Sequence, residues 1–125
     1  MSRRLLLVDD DDSIREIAQI SLERVGNWEV VAASSGGEAV EIVEGGGVFD
    51  AVVLDVMMPG IDGPTTLGRL RGPLPPAVPV VFLTAKLQLA DRARLHALGA
   101  AGVIAKPFDP MALPAELDRI LEAGP

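Results

Sequence analysis

The apolar run Leu5–Val8 ends in four consecutive aspartates, Asp9 to Asp12. Taken alone, such a run is most often a solvated turn. Three other short apolar runs, however, close on residues able to do chemistry: "FDAVVLD" on Asp55, "VVFLT" on Thr84, and "GVIAK" on Lys106. A carboxylate close to a lysine, a hydroxyl and further carboxylates is a sensible phosphoryl acceptor. The ammonium neutralises charge developing on the transferred group, and the hydroxyl donates to one of its oxygens. Three carboxylates cannot all stay ionised at close range without compensation. Lys106 supplies part of it, and a hard divalent cation held by oxygen ligands, Mg²⁺, would supply the rest, with Mn²⁺ as a substitute. The chain has no cysteine and one histidine, which disfavours zinc.

That chemistry needs the four run-ends to meet, and the hydrophobic pattern says how. Leu5–Val8 has strand length. From Ile14 the period changes: Ile14, Ile17, Ala18, Ser21, Leu22 and Val25 share one helical face. Ser13 with Glu16 fits a capping box, and Asp11 and Asp12 are also good caps that the positive helix end would welcome. Gly26-Asn27 stops this helix. Trp28–Ala33 reads as a second strand, with Trp28 in strand-edge packing. "SSGGEAVEIVE" opens with cap residues and runs as a helix to Gly45–Gly47. Phe49–Asp55 is a third strand whose unbroken apolar core suits burial on both faces of a parallel sheet. After the turn-rich "MMPGIDG", a short helix starts near Pro64. Thr65, Thr66 and Gly68 make it polar and weak. A stiff "GPLPPAVP" connection, a fourth strand, a helix over Leu87–Leu98, a fifth strand and a last helix from about Pro110 to Ala123 complete the pattern.

Strands alternating with helices give an α/β fold: a doubly wound, five-stranded parallel sheet with five helices in one domain, residues 1–125. In such sheets ligands bind beyond the carboxyl ends of the strands. Asp9, Asp10, Asp55, Thr84 and Lys106 are all expected there. The 125-residue length and composition, 49% hydrophobic and 23% charged, are those of an ordinary globular domain. A net charge of −7 argues against nucleic acid or an anionic membrane surface as the main partner. The apolar stretch after "MSRR" is too short for a signal peptide or a membrane span, so a cytoplasmic location is expected.

Four stretches, "LLLVDDDDSIREI", "FDAVVLDVMMPGIDG", "VPVVFLTA" and "GVIAKPF", occur in the order found in the receiver domain of two-component response regulators. The chain resembles that family over essentially its whole length. The resemblance implies a flavodoxin-like sheet of order 2-1-3-4-5. It implies Asp55 as phospho-acceptor, Asp9 and Asp10 as the acidic pair holding Mg²⁺, and the backbone carbonyl of Met57 as a further metal ligand. Thr84 would bond the phosphoryl group, and Lys106 would pair with the acceptor carboxylate, aimed by a cis Lys106–Pro107 bond. A sensor histidine kinase or phosphotransfer protein would be the donor. A downstream protein would bind the face of the fourth helix, fifth strand and fifth helix, and a homodimer is compatible with the pattern. The module signals rather than acting as an enzyme in its own right.

Departures from the family pattern accompany the resemblance. Val103 stands where an aromatic usually completes the switch with the threonine. Pro114 lies about one turn into the last helix, where it removes a bond to the carbonyl of Pro110. Met57 and Lys86, two positions past the acceptor and the threonine, would tune attacking water, and the apolar Met57 predicts slow hydrolysis of the aspartyl phosphate. His96 reads as a surface residue, not a phosphoryl carrier. Two rivals fare worse. An aspartyl-phosphate hydrolase of the haloacid-dehalogenase type needs an aspartate at Met57, and no G-x-G-x-x-G follows the first strand. A domain that keeps the fold but signals through binding alone is opposed by the intact acidic set. The chain stops near the end of the fifth helix, which fits a stand-alone receiver or one cut from a longer protein equally well.

Overall fold

A computed structural model describes residues 3–85 and 88–123. Five parallel strands, β1 (Arg4–Val8), β2 (Glu29–Ala33), β3 (Ala51–Asp55), β4 (Val80–Thr84) and β5 (Gly102–Ala105), form one sheet of order β2-β1-β3-β4-β5. The helices α1 (Asp12–Arg24), α2 (Gly36–Glu44), α3 (Gly63–Leu70), α4 (Leu89–Ala97) and α5 (Leu113–Ala123) alternate with them. Side chains alternate across each strand, so the sheet carries two cores. Leu6, Val8, Val52, Leu54, Val80 and Phe82 pack with residues of α2, α3 and α4 on one face. Leu5, Leu7, Val53, Val81, Leu83 and Ile104 pack with α1 and α5 on the other. The central strands β3 and β4 are buried throughout.

Register aligns the strand ends that matter. Val8 pairs with Leu54, Asp55 with Leu83, and Thr84 with Ala105. Asp9, Asp55, Thr84 and Lys106 therefore come to the same edge of the sheet, as the alternating pattern predicts.

Several boundaries differ from the sequence-based expectation. The N-cap of α1 is Asp11, one of the expected caps, whose carboxylate accepts from the amide of Ile14; Asp12, the other, is instead the first helical residue, and Ser13 and Glu16 form no capping box. At α2 the N-cap Ser35 accepts through Oγ from the Glu38 amide, and the Glu38 carboxylate reaches back to the amide of Ser34, one residue before the cap. On α1, Ala18, Ser21 and Leu22 are buried, but Ile17 and Val25, assigned to the same face, are about half exposed. The strands β2 and β3 begin later than Trp28 and Phe49, although both aromatics are buried. Helix α4 begins at Leu89; the expected start at Leu87 lies outside the described residues.

The last helix begins at Leu113, not Pro110, so Pro114 falls in its first turn, where a missing N–H costs little. The carbonyl of Pro110 is bonded from outside, by the hydroxyl of Ser21 on α1. Helix α3 is better anchored than its composition suggests. Asp62 caps it, accepting from the Thr65 amide, and the hydroxyl of the buried Thr66 donates to the Asp62 carbonyl. That threonine sits so close to Gly36 that a Cβ there would collide with its hydroxyl, which fixes glycine at the start of α2.

Candidate functional site

The acidic run divides by position. Asp9, the first residue past β1, is fully buried, and Asp10 is exposed. Asp11 caps α1, and Asp12 is an exposed partner of Arg15. Asp55 closes β3, nine-tenths and more buried, and Thr84 closes β4, also buried. Lys106 follows β5, and the Lys106–Pro107 peptide is cis, as expected.

Lys106 holds the site together. Its Nζ lies 2.8 Å from Asp9 Oδ2 and 3.1 Å from Asp55 Oδ1, with its side chain 15% exposed. Its amide donates to the carbonyl of Thr84 at 2.9 Å, so the ends of β4 and β5 are tied through the backbone. The other Asp9 oxygen accepts from the amide of Asp11. Oxygens of Asp9, Asp10 and Asp55 all lie within 4.8 Å of one another. Asp10, Asp55, Met57, Thr84 and Lys106 line a cleft of about 250 Å³.

Among the described residues, the electrostatics are those of a crowded acidic site in which one ammonium, that of Lys106, pairs with both Asp9 and Asp55. Burial, and then the charge of Asp9, push the Asp55 carboxyl up to about 6, against the pull of Lys106. Burial alone would pull Lys106 down, but hydrogen bonds and charge from Asp9 and Asp55 outweigh it and raise its pKa, so it stays an ammonium. All the donors are oxygens, and the charge exceeds what one lysine neutralises. That donor set suits a hard divalent cation. Met57, expected to contribute its carbonyl, lines the same cleft and is 62% exposed.

The sequence profile described as "Response regulator receiver domain" matches residues 5–118 of this chain. The chain belongs to the response regulator receiver domain family. Among similar curated proteins, this receiver domain is 38% identical over 121 residues to the alkaline phosphatase synthesis transcriptional regulatory protein PhoP of Bacillus subtilis, covering 97% of this chain and 49% of that protein. It is 37% identical over 118 residues to response regulator Rre1 of Synechocystis, covering 94% of this chain and 51% of that one. The receiver domain thus spans about half the length of these curated relatives. Among solved structures, chemotaxis response regulator CheY4 of Vibrio cholerae superposes with a TM-score of 0.82 at 28% identity, over 96% of this chain and 99% of the other. A CheY-like receiver domain protein of Methanospirillum hungatei gives 0.83 at 26% identity, over 98% and 96%. The receiver fold and its place in two-component signalling are therefore established for this chain.

Asp9, Asp10, Asp55, Met57, Thr84 and Lys106 all lie at the carboxyl edge of the sheet. Lys86, expected to tune hydrolysis, lies outside the described residues. His96 is exposed on α4, away from the cleft. Val103 is half-buried and pairs with Phe82. Sequence reasoning passed over Arg15, which contacts both Asp9 and Asp12. Its one visible signal was the Asp12–Arg15 spacing of three on a helix. Among the described residues no helix is long and apolar enough to cross a membrane.

Proposed function

We propose that this receiver accepts a phosphoryl group on Asp55 from a histidine kinase or phosphotransfer protein, with Mg²⁺ held by Asp9, Asp10, Asp55 and the Met57 carbonyl. The observation that carries this reading is Lys106, a single ammonium bridging two buried carboxylates in a cleft that also holds Thr84. In the transfer, an Asp55 oxygen forms the new P–O bond as the P–N bond to the donor imidazole breaks, and the electron pair of that bond stays on the imidazole nitrogen. Lys106 faces the growing charge on the phosphoryl oxygens. Thr84, at the end of the adjacent strand, supplies a hydroxyl to one of them. Asp9 keeps the ammonium in place through its shorter contact. Bound Mg²⁺ would neutralise charge shared between the acceptor and the phosphoryl oxygens. Mn²⁺, with the same preference for oxygen ligands, would substitute.

The output runs through a protein partner on the α4–β5–α5 face, in the cytoplasm. The transcriptional regulators among the relatives are twice this length, so a direct contact with nucleic acid is not assigned to this domain. The test is an intact mass spectrum after incubation with Mg²⁺ and acetyl phosphate, with Asp55→Asn and a chelated sample as controls. A gain of one phosphoryl group that needs both Asp55 and Mg²⁺ supports the reading. No gain together with no Mg²⁺ binding rejects it.

A further inference from the structure

Asp10 is the exposed member of the acidic trio, and its side chain is aimed by the two peptides that flank its Cα. Both are pinned. The following peptide is held by its N–H, since the Asp11 amide donates to Asp9 Oδ1 at 2.9 Å. The preceding peptide is held by its carbonyl: the Asp9 oxygen accepts from Arg15 Nη1 at 2.9 Å. The same guanidinium donates from Nη2 to Asp12 Oδ1 at 2.6 Å. Arg15 therefore spans the whole aspartate run, gripping its first residue through the backbone and its last through the side chain. The Arg15 side chain is 20% exposed and that of Asp12 is 88% exposed. A pair so open on one side adds little stability. Its geometric effect is larger, because a planar guanidinium fixes the direction of both of its donors.

We infer that Arg15 is a positioning residue for the divalent-cation site, holding the Asp9–Asp10 peptide so that both carboxylates face Asp55. The inference rests on the reading of Asp9, Asp10 and Asp55 as that site. It makes a prediction opposite in sign to simple electrostatics. A fixed positive charge beside a cation site repels the cation, so an Arg15 that acts only as a charge would weaken Mg²⁺ binding, and its removal would tighten it. An Arg15 that orients the turn strengthens binding, and its removal weakens it.

The experiment is calorimetric titration of Mg²⁺ into the wild-type chain, Arg15→Gln and Arg15→Lys. The lysine variant keeps the charge and loses the two-pronged grip, and it serves on its own if the glutamine variant does not fold. Both variants should bind Mg²⁺ more weakly by roughly tenfold, the scale on which partners that orient metal ligands act. The Mg²⁺ concentration giving half the maximal rate of phosphorylation by acetyl phosphate should rise by the same factor. Unchanged or tighter Mg²⁺ binding in either folded variant overturns the inference. Absence of Mg²⁺ binding in the wild-type chain overturns the reading of the acidic cluster, and the role of Arg15 falls with it.

Discussion

The ammonium of Lys106 lies closer to Asp9, at 2.8 Å, than to Asp55, at 3.1 Å. Asp9 is the fully buried partner of the two. The lysine is thus anchored by one carboxylate and presented to the other. Replacing it with methionine leaves two buried carboxylates facing each other. Breaking a buried pair in this way costs about 3 kcal/mol near neutral pH. The Lys106→Met variant should show that loss in urea unfolding at pH 7.5, recover part of it on adding Mg²⁺, and accept phosphoryl groups far more slowly than wild type.

The raised carboxyl of Asp55 has a definite pH signature in chelated, metal-free protein. Its folded pKa, about 6, lies above the ordinary 3.8. The unfolded chain therefore gives up this proton first. The stability associated with Asp55 is fully present below pH 3.8 and is lost as pH rises through 6. Asp55→Asn removes the burden, and should stabilise the metal-free domain by about 3 kcal/mol at pH 8. That advantage should shrink steadily below pH 6. Denaturant midpoints of the two proteins across pH 4.5 to 8, at about half-unit spacing, check the trend.

Gly63, at the start of α3, is pressed against the acceptor's own peptide. A Cβ there would collide with the Asp55 carbonyl oxygen and crowd the Cα of Val56. Gly63→Ala should cost about 2 kcal/mol, the scale of overpacking a rigid site. It should also slow phosphorylation, because relief requires the end of β3 to move. Thermal unfolding and the intact-mass time course report the two effects separately.

Met57 stands over the cleft with a side chain that offers no strong hydrogen bond. An aspartyl phosphate on Asp55 should accordingly decay slowly after the donor is removed. Met57→Asn supplies an amide to orient water and should shorten that lifetime severalfold, read as decay of the phosphorylated mass.

The site was legible in the sequence wherever an apolar strand broke abruptly into a functional group. Val8 into Asp9, Leu54 into Asp55 and Ala105 into Lys106 are such breaks, and the parallel pattern places all three on one edge. Helix starts were less legible. Asp11, Asp12 and Ser13 can each cap a helix, and only the three-dimensional course of the chain selects Asp11. The start of α5 was obscured by Pro110 and Pro114, and the hydroxyl that bonds the Pro110 carbonyl comes from Ser21, 89 residues away. Arg15 went unnoticed for a related reason: its key partner is a backbone oxygen, which leaves no mark in residue type. The half-exposed Ile17 and Val25 show the limit of periodicity, which marks an apolar stripe without saying how much of it the sheet can cover.

Trp28 is buried just before β2, with the Arg3 guanidinium 3.9 Å from its ring centroid. Glu29, the next residue, pairs with Arg4 at the opposite end of β1 from Asp9. Five strand residues, roughly 16 Å, separate the indole from the acidic cluster. The chain has one tryptophan and no tyrosine. Its ultraviolet emission is therefore a clean optical gauge of whether α1 and α5 remain docked on the sheet, and it should stay dark to events at Asp55, which need a label or a scale to be seen.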